Sequence, residues 1–152
     1  MQDVQYVVIG GVASSLQGSN QLTYDIDLTY ELSDHNKQRL VEALKQLEAR
    51  RITEDVGELG PPTVGHLRER IESFVCPIGD IDVFSRVHRV GGYAELVGKS
   101  EQIMIEPGLE VRIADLDTLI ESKTDTGREK DILAVVALRL LRDERTTGSS
   151  QH

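Results

Sequence analysis

The stretch Thr23-Tyr24-Asp25-Ile26-Asp27-Leu28-Thr29 decides how the rest of this chain is read. Two acids stand two residues apart, each flanked by strand-forming residues. Alternate side chains of a strand share a face. Asp25 and Asp27 are therefore expected to project side by side, with Ile26 and Leu28 on the opposite face. Two adjacent like charges cost free energy unless a positive group lies between them. A divalent cation answers that need, and oxygen ligands suit Mg²⁺. Taken alone, the same alternation also describes an edge strand whose acids face water.

The residues upstream add to it. Tyr6-Val7-Val8-Ile9 reads as a buried strand, and Gly10-Gly11 as a tight turn behind it. Val12 to Leu16 is helix-compatible and is closed by Gly18. Thirteen residues, Val12 to Tyr24, separate Gly10-Gly11 from Asp25-Ile26-Asp27. Glycines let backbone N–H groups approach a phosphate, and a helix N-terminus favours an anion. Ser14 and Ser15 follow the glycines, where a hydroxyl could bond a phosphate.

This order of strand, Gly-Gly, short helix and Asp-x-Asp strand resembles the nucleotidyltransferase superfamily, which includes DNA polymerase β, kanamycin nucleotidyltransferase and the CCA-adding enzymes. The resemblance implies an α+β fold, a short mixed β-sheet with packed helices. It also implies a third carboxylate from a neighbouring strand. Phe74-Val75-Cys76 and Ile81-Asp82-Val83-Phe84 read as two strands about a Pro77-Ile78-Gly79 turn, with Asp80 and Asp82 on one face. Asp82, set between Ile81 and Val83, is the candidate, and Asp80 is the alternative.

Between these parts, Ser33 and Asp34 cap a helix with Leu40, Val41, Leu44 and Leu47 at helical spacing, closed by Arg50-Arg51. The segment from Gly57 to Gly65, with three glycines and Pro61-Pro62, reads as a loop. Further on, Ile103-Met104-Ile105 and Leu109 to Ile113 read as strands joined through a Glu106-Pro107-Gly108 turn. Asp115 caps a helix to Lys123, Thr124 to Gly127 breaks it, and 128–142 forms the last helix. The domain is expected to span 1–145, with 146–152 a disordered polar tail.

Lys123, Arg128, Lys130 and Asp131 form a second constellation. It resembles the C-terminal motif of small nucleotidyltransferases of the abortive-infection toxin type. Lys123 and Arg128 could hold a triphosphate, one as a point charge and the other as a fork, with Asp131 orienting Lys123. One departure stands out. Similar chains commonly show Arg-x-Thr-x-Asp-x-Asp, and here Gln21 takes the place of the Arg while Thr23 is kept.

Composition sets the outer limits. The chain has 152 residues, 39% apolar, and a net charge of −9. A chain this acidic is poorly suited to non-specific nucleic-acid binding, which rests on Lys and Arg. Cys76 is the one cysteine, which leaves no intrachain disulfide and no multi-cysteine zinc site. His35, His66, His88 and His152 have no metal-ligand spacing. The start Met1-Gln2-Asp3 lacks the basic character of a signal peptide, and no apolar run reaches membrane-spanning length, so a cytoplasmic location is expected.

The resemblance implies Mg²⁺-dependent transfer of a nucleoside monophosphate from a nucleoside triphosphate such as ATP to an acceptor. That acceptor could be a protein, an RNA such as tRNA, or a small molecule, in a setting that could be a toxin–antitoxin system. Asp25, Asp27 and Asp82 would be the catalytic and metal-binding residues, and Gly10, Gly11, Ser14, Lys123 and Arg128 would bind the nucleotide. The alternative is a catalytically inactive protein of this fold that acts by partner binding. The helix over 128–142 carries more apolar residues than one core-facing stripe needs. With little room for a helix before the first strand, it is expected to pack on a second copy or a partner through Val135, Leu138 and Leu141. The competing expectation places this helix inside the domain, against the Leu40 to Leu47 helix.

Overall fold

The computed structural model describes residues 3–20, 23, 25–53, 55–68 and 70–149. Gln21, Tyr24 and His152, singled out in the sequence, lie outside the described residues. The elements run β1 (Tyr6–Ile9), α1 (Gly10–Leu16), β2 (Ile26–Tyr30), α2 (Asp34–Gln46), β3 (Arg50–Thr53), β4 (Gly57–Gly60), β5 (Ile71–Cys76), β6 (Gly79–Phe84), α3 (Tyr93–Leu96), β7 (Ser100–Glu106), β8 (Leu109–Ala114), α4 (Leu116–Lys123) and α5 (Glu129–Ser149). The strands form one mixed sheet in the order β4-β3-β5-β6-β2-β1-β8-β7.

Three pairings place the functional residues. β1 runs antiparallel to β2, β2 parallel to β6, and β1 parallel to β8. In the β2–β6 pair Asp27 stands opposite Asp82, and Ile26 opposite Ile81. The two faces of these strands differ as their alternation requires. Ile26, Leu28, Ile81 and Val83 pack with Leu40, Val41 and Leu44 of α2 in one core. The other face carries the acids and leads into a second core, where α1, α4 and α5 cover β1 and β8.

Local chemistry explains where most elements begin and end. Ser33 caps α2 by accepting from the Asn36 N–H at 3.2 Å, and Asp115 caps α4 by accepting from the Thr118 N–H at 2.8 Å. Gly108, at φ +83°, closes the β7–β8 hairpin with the positive φ that a Pro-Gly turn needs. Gly10 and Gly11 are the first turn of α1 itself rather than a turn ahead of it.

Three sequence expectations are corrected here. Arg50 and Arg51 do not close a helix; they open β3, with Arg51 paired to the buried Glu72 at 3.0 Å. The segment from Gly57 to Gly65 is not all loop, because 57–60 pairs with β3 as an added edge strand. Residues 146–149 continue α5, with the Thr146 and Thr147 hydroxyls donating to carbonyls four residues back.

The last helix also turns a different face inward. Val135 and Leu138 are buried and Leu141 packs against them, so these three face the core. Ile132, Leu133, Val136 and Leu140 are exposed, at 62%, 67%, 53% and 60%. Helix α2 belongs to the other core, so α5 is not sandwiched against it. Among the described residues no helix is long and apolar enough to cross a membrane.

Candidate active site

Asp25, Asp27 and Asp82 line one cleft of about 660 Å³, which Lys123, Arg128, Lys130 and Asp131 enter from the α4–α5 junction. Asp82 reaches the cleft because β6 runs parallel to β2 with the two acids in register. Asp80, the alternative, is exposed and does not line the cleft.

Asp27 is the electrostatic centre. Burial raises its pKa from 3.8 to about 6, and the neighbouring charges of Asp82 and Asp25 push the same way, while Lys123 and Lys130 oppose them. The carboxylate lies directly over Gly10. A Cβ at Gly10 would stand 2.4 Å from Asp27 Oδ2, and the backbone there is at φ +68°. Gly11 is close to Thr23, whose side chain would be 3.0 Å from an added Cβ. The two glycines therefore let α1 press onto the acidic strand.

A substitution tests that packing. Gly10→Ala is expected to lose about 1–2 kcal/mol from the positive φ alone and to displace the Asp27 carboxylate. Denaturant unfolding reads the first effect. The second appears as a change in the Asp27 titration followed by NMR.

Lys123 is partly buried, with its side chain 13% exposed, and Nζ lies 3.8 Å from Asp131 Oδ1. Burial lowers its pKa, against the pull of Asp131 and Asp27. Asp131 is 2% exposed. Its Oδ2 accepts from the Thr126 hydroxyl and from Arg128 Nε, both at 2.7 Å. Burial acts to raise its pKa, but those two hydrogen bonds and the adjacent cations together hold it below the usual carboxylate value. Asp131 thus fixes both Lys123 and Arg128, while Lys130 projects into the cleft without an ion pair among the described residues.

Not every expected residue arrives. Gly11 lines the cleft, but Ser14 is fully buried, and its hydroxyl donates to the Gly10 carbonyl at 3.0 Å. The side chain is spent on the helix backbone and does not reach a phosphate. His66 accepts from the Thr63 N–H through Nδ1 at 3.2 Å and serves the local turn.

The cleft also holds residues that the sequence reading did not single out: Arg70, Ile71, Phe84, Arg86, Asp125 and Thr126. A signal for two of them was present. Asp82, Phe84 and Arg86 follow the same two-residue alternation, so an acid on that face predicts its neighbours. Arg70 had none, because it reaches the site through the pairing of β5 with β6.

The donor set suits a hard divalent cation. Carboxylate oxygens are its preferred ligands. Among the described residues, no three His, Cys, Asp or Glu side chains form a ready-made cage. Mg²⁺ does not need one, since it is commonly held by one or two carboxylates, with water and substrate phosphates supplying the rest. The opposed Asp27–Asp82 pair fits that pattern, and burial first, with the neighbouring Asp82 charge second, raises the pKa of Asp27, costs that a bound cation would offset.

No protein-family model matches the chain, and no curated protein matches it in sequence. Several solved structures match its fold, among them the following two. The lincosamide antibiotic adenylyltransferase LnuA, solved with lincomycin bound, is 12% identical, with a TM-score of 0.59 over 91% of this chain and 87% of that one. The antibiotic-resistance factor ANT(2'')-Ia is 16% identical, with a TM-score of 0.53 over 98% of this chain and 85% of that one. With one mixed sheet, the Gly-Gly helix against the Asp-x-Asp strand and these two neighbours, the chain has the nucleotidyltransferase fold.

Proposed function

We propose that this chain is a Mg²⁺-dependent nucleotidyltransferase that moves a nucleoside monophosphate from a nucleoside triphosphate to a hydroxyl-bearing acceptor. The observation that carries the proposal is the pairing of Asp27 with Asp82 across parallel strands, in a cleft whose facing wall bears Lys123, Arg128 and Lys130. One wall suits a cation and the other suits a polyphosphate.

In the proposed reaction the acceptor oxygen attacks the α-phosphorus. A new O–P bond forms, the bond to the pyrophosphate oxygen breaks, and pyrophosphate leaves. Asp25, Asp27 and Asp82 would hold Mg²⁺, which supplies charge neutralisation at the phosphates. Asp82 is assigned to take the hydroxyl proton. Lys123 and Lys130 take the charge of the triphosphate, and Arg128 offers its remaining N–H donors. Asp131 is a positioning residue for both Lys123 and Arg128. Desolvated Lys123 has little competing water, which strengthens its attraction to phosphate.

Equilibrium binding of a nonhydrolysable ATP analogue with Mg²⁺ tests this assignment. Lys123→Met is expected to weaken it by about tenfold or more. Equal binding by parent and variant would remove Lys123 from the site. Incubation of the parent with each of four α-labelled triphosphates and a cell extract tests the chemistry. Failure to label anything would favour the non-catalytic, partner-binding alternative.

Two finer assignments belong to the same proposal. A place in a toxin–antitoxin pair predicts growth arrest on expression of the chain alone. Association with a second copy or a partner protein is assigned to the exposed outer stripe of α5.

A further inference from the structure

The cleft carries a second basic group, at the β5–β6 strands, that the proposed donor site does not use. Arg70 and Arg86 stand where β5 begins and β6 has just ended, and both line the cleft. They are held together, because Arg70 Nε donates to the Arg86 carbonyl at 3.4 Å and the Ser85 N–H donates to the Arg70 carbonyl at 3.0 Å. Like charges placed side by side on neighbouring strands are destabilising.

Among the described residues no acid lies within ion-pair distance of this pair. Arg39, Arg50, Arg51, Arg89, Arg128 and Arg142 each have an Asp or Glu within ion-pair distance. Arg70 and Arg86 have none among the described residues, nor do Arg68, Arg112 and Arg139, but only Arg70 and Arg86 of these five line the cleft. Glu31 and Glu95 lie on the other side of Arg86, beyond ion-pair distance, where Glu31 accepts from Ser33 and Glu95 from the Gly92 N–H.

The order of groups along the cleft gives the pair a role. Asp82 is the acid nearest to it on β6, and Arg86 follows four residues later, at most about 14 Å along the chain. Phe84 stands between them, opposite Ile71 on β5, and makes an apolar floor. Lys123 and Lys130 act on Asp27 from the α4–α5 junction, beside Arg128. Basic groups thus enter the cleft from two parts of the fold, that junction and the β5–β6 strands, which meet where His88 Nε2 lies 3.1 Å from the Thr124 carbonyl.

We propose that Arg70 and Arg86 anchor a phosphate carried by the acceptor, which makes the acceptor a small phosphorylated hydroxyl compound lying over Ile71 and Phe84. The proposal rests on the transferase reading and adds the substrate class to it. Arginine forks match phosphate oxygens two at a time. A polycationic acceptor meets repulsion at this end. A long nucleic acid meets the net charge of −9 outside the cleft.

Calorimetric titration of the chain loaded with Mg²⁺ and a nonhydrolysable ATP analogue tests the proposal, with ribose 5-phosphate, ribose, spermidine and a short 5′-phosphorylated RNA as probes. Ribose 5-phosphate is expected to bind at least about tenfold more tightly than ribose, and Arg86→Gln or Arg70→Gln to remove that advantage. Binding of the ATP analogue should change less than about twofold in either variant. An equal loss of analogue binding would assign the arginines to the donor triphosphate and overturn the proposal. So would equal affinity for ribose and ribose 5-phosphate, a preference for spermidine, or tighter binding of the RNA through the same arginines. Failure of the analogue to bind the parent chain is the separate failure of the transferase reading. Ribose 5-phosphate still held by Arg70 and Arg86 in that case would identify an anion site and overturn its assignment to an acceptor.

Discussion

Asp27→Asn is expected to abolish transfer of label from an α-labelled triphosphate, by at least about a hundredfold, while leaving the protein folded and more stable at pH 7. The loss of transfer follows from removing an anionic ligand and the charge stabilisation that depends on it. The gain in stability follows from the raised pKa. A carboxyl group that titrates near 4 in the unfolded chain and at about 6 in the folded one binds its proton more tightly when folded. Its contribution to stability is fully present below pH 4. It declines as the pH rises through about 6, after which the folded state bears a buried charge that it resists. Asparagine carries no charge and escapes that loss. The difference at pH 7 is on the order of 1–3 kcal/mol, and it should vanish at pH 4. Denaturant unfolding of both proteins from pH 4 to 8 reads it. Added Mg²⁺ should narrow the gap at pH 7, because only the parent has the full set of anionic ligands to gain from it. A parent that is more stable than the variant at pH 7 without Mg²⁺ would show that Asp27 is held by favourable contacts and is not under charge repulsion.

Leu138→Glu is expected to unfold the chain, whereas Leu140→Glu, two residues away, should leave the fold intact. Leu138 has no exposed surface and packs in the core with Leu119, Ile120 and Val135. Truncating such a leucine costs about 2–5 kcal/mol, and an unpaired carboxylate in its place adds a desolvation penalty of several kcal/mol. The sum equals or exceeds the whole stability of an ordinary domain. Leu140 is 60% exposed, so a charge there meets water. Its cost to a single chain should be within about 0.5 kcal/mol. Sedimentation at micromolar concentration then separates core from contact. A parent that sediments as a multimer, with Leu140→Glu a folded single chain, would make the outer stripe of α5 an association surface. A parent that sediments as a single chain at all concentrations would remove self-association and leave only a partner protein.

The sequence by itself determined the parts whose causes are local. The alternation of Asp25, Ile26, Asp27 and Leu28 already told which side chains would face the cleft and which would join the core with α2. Capping residues Ser33 and Asp115 and the Pro107-Gly108 turn were legible because a cap or turn is satisfied within three or four residues. Asp82 could be named as the third acid because it too sits in an alternating run. What brought it opposite Asp27 was the parallel pairing of β2 with β6, a contact between residues 55 positions apart. Long-range pairing with β5 likewise turned Arg50-Arg51 into a strand, and the glycine-rich stretch after Val56 then folded back on β3 as a hairpin. No local pattern demanded those strands; β5 supplied an open edge, and unpaired backbone groups took it. The direction of Ser14 was decided by a helix carbonyl close at hand, and the position of Arg70 by its neighbour strand.

For α5 the sequence held the excess of apolar residues but not their phase. A helix that is apolar over much of its surface fits its core equally well in several rotations, and the packing of α4 and β8 chose one. That choice put Val135, Leu138 and Leu141 inside and Ile132, Leu133, Val136 and Leu140 outside. The period of a helix is written in its residues. The face it buries is set by the shape of the surface already waiting for it.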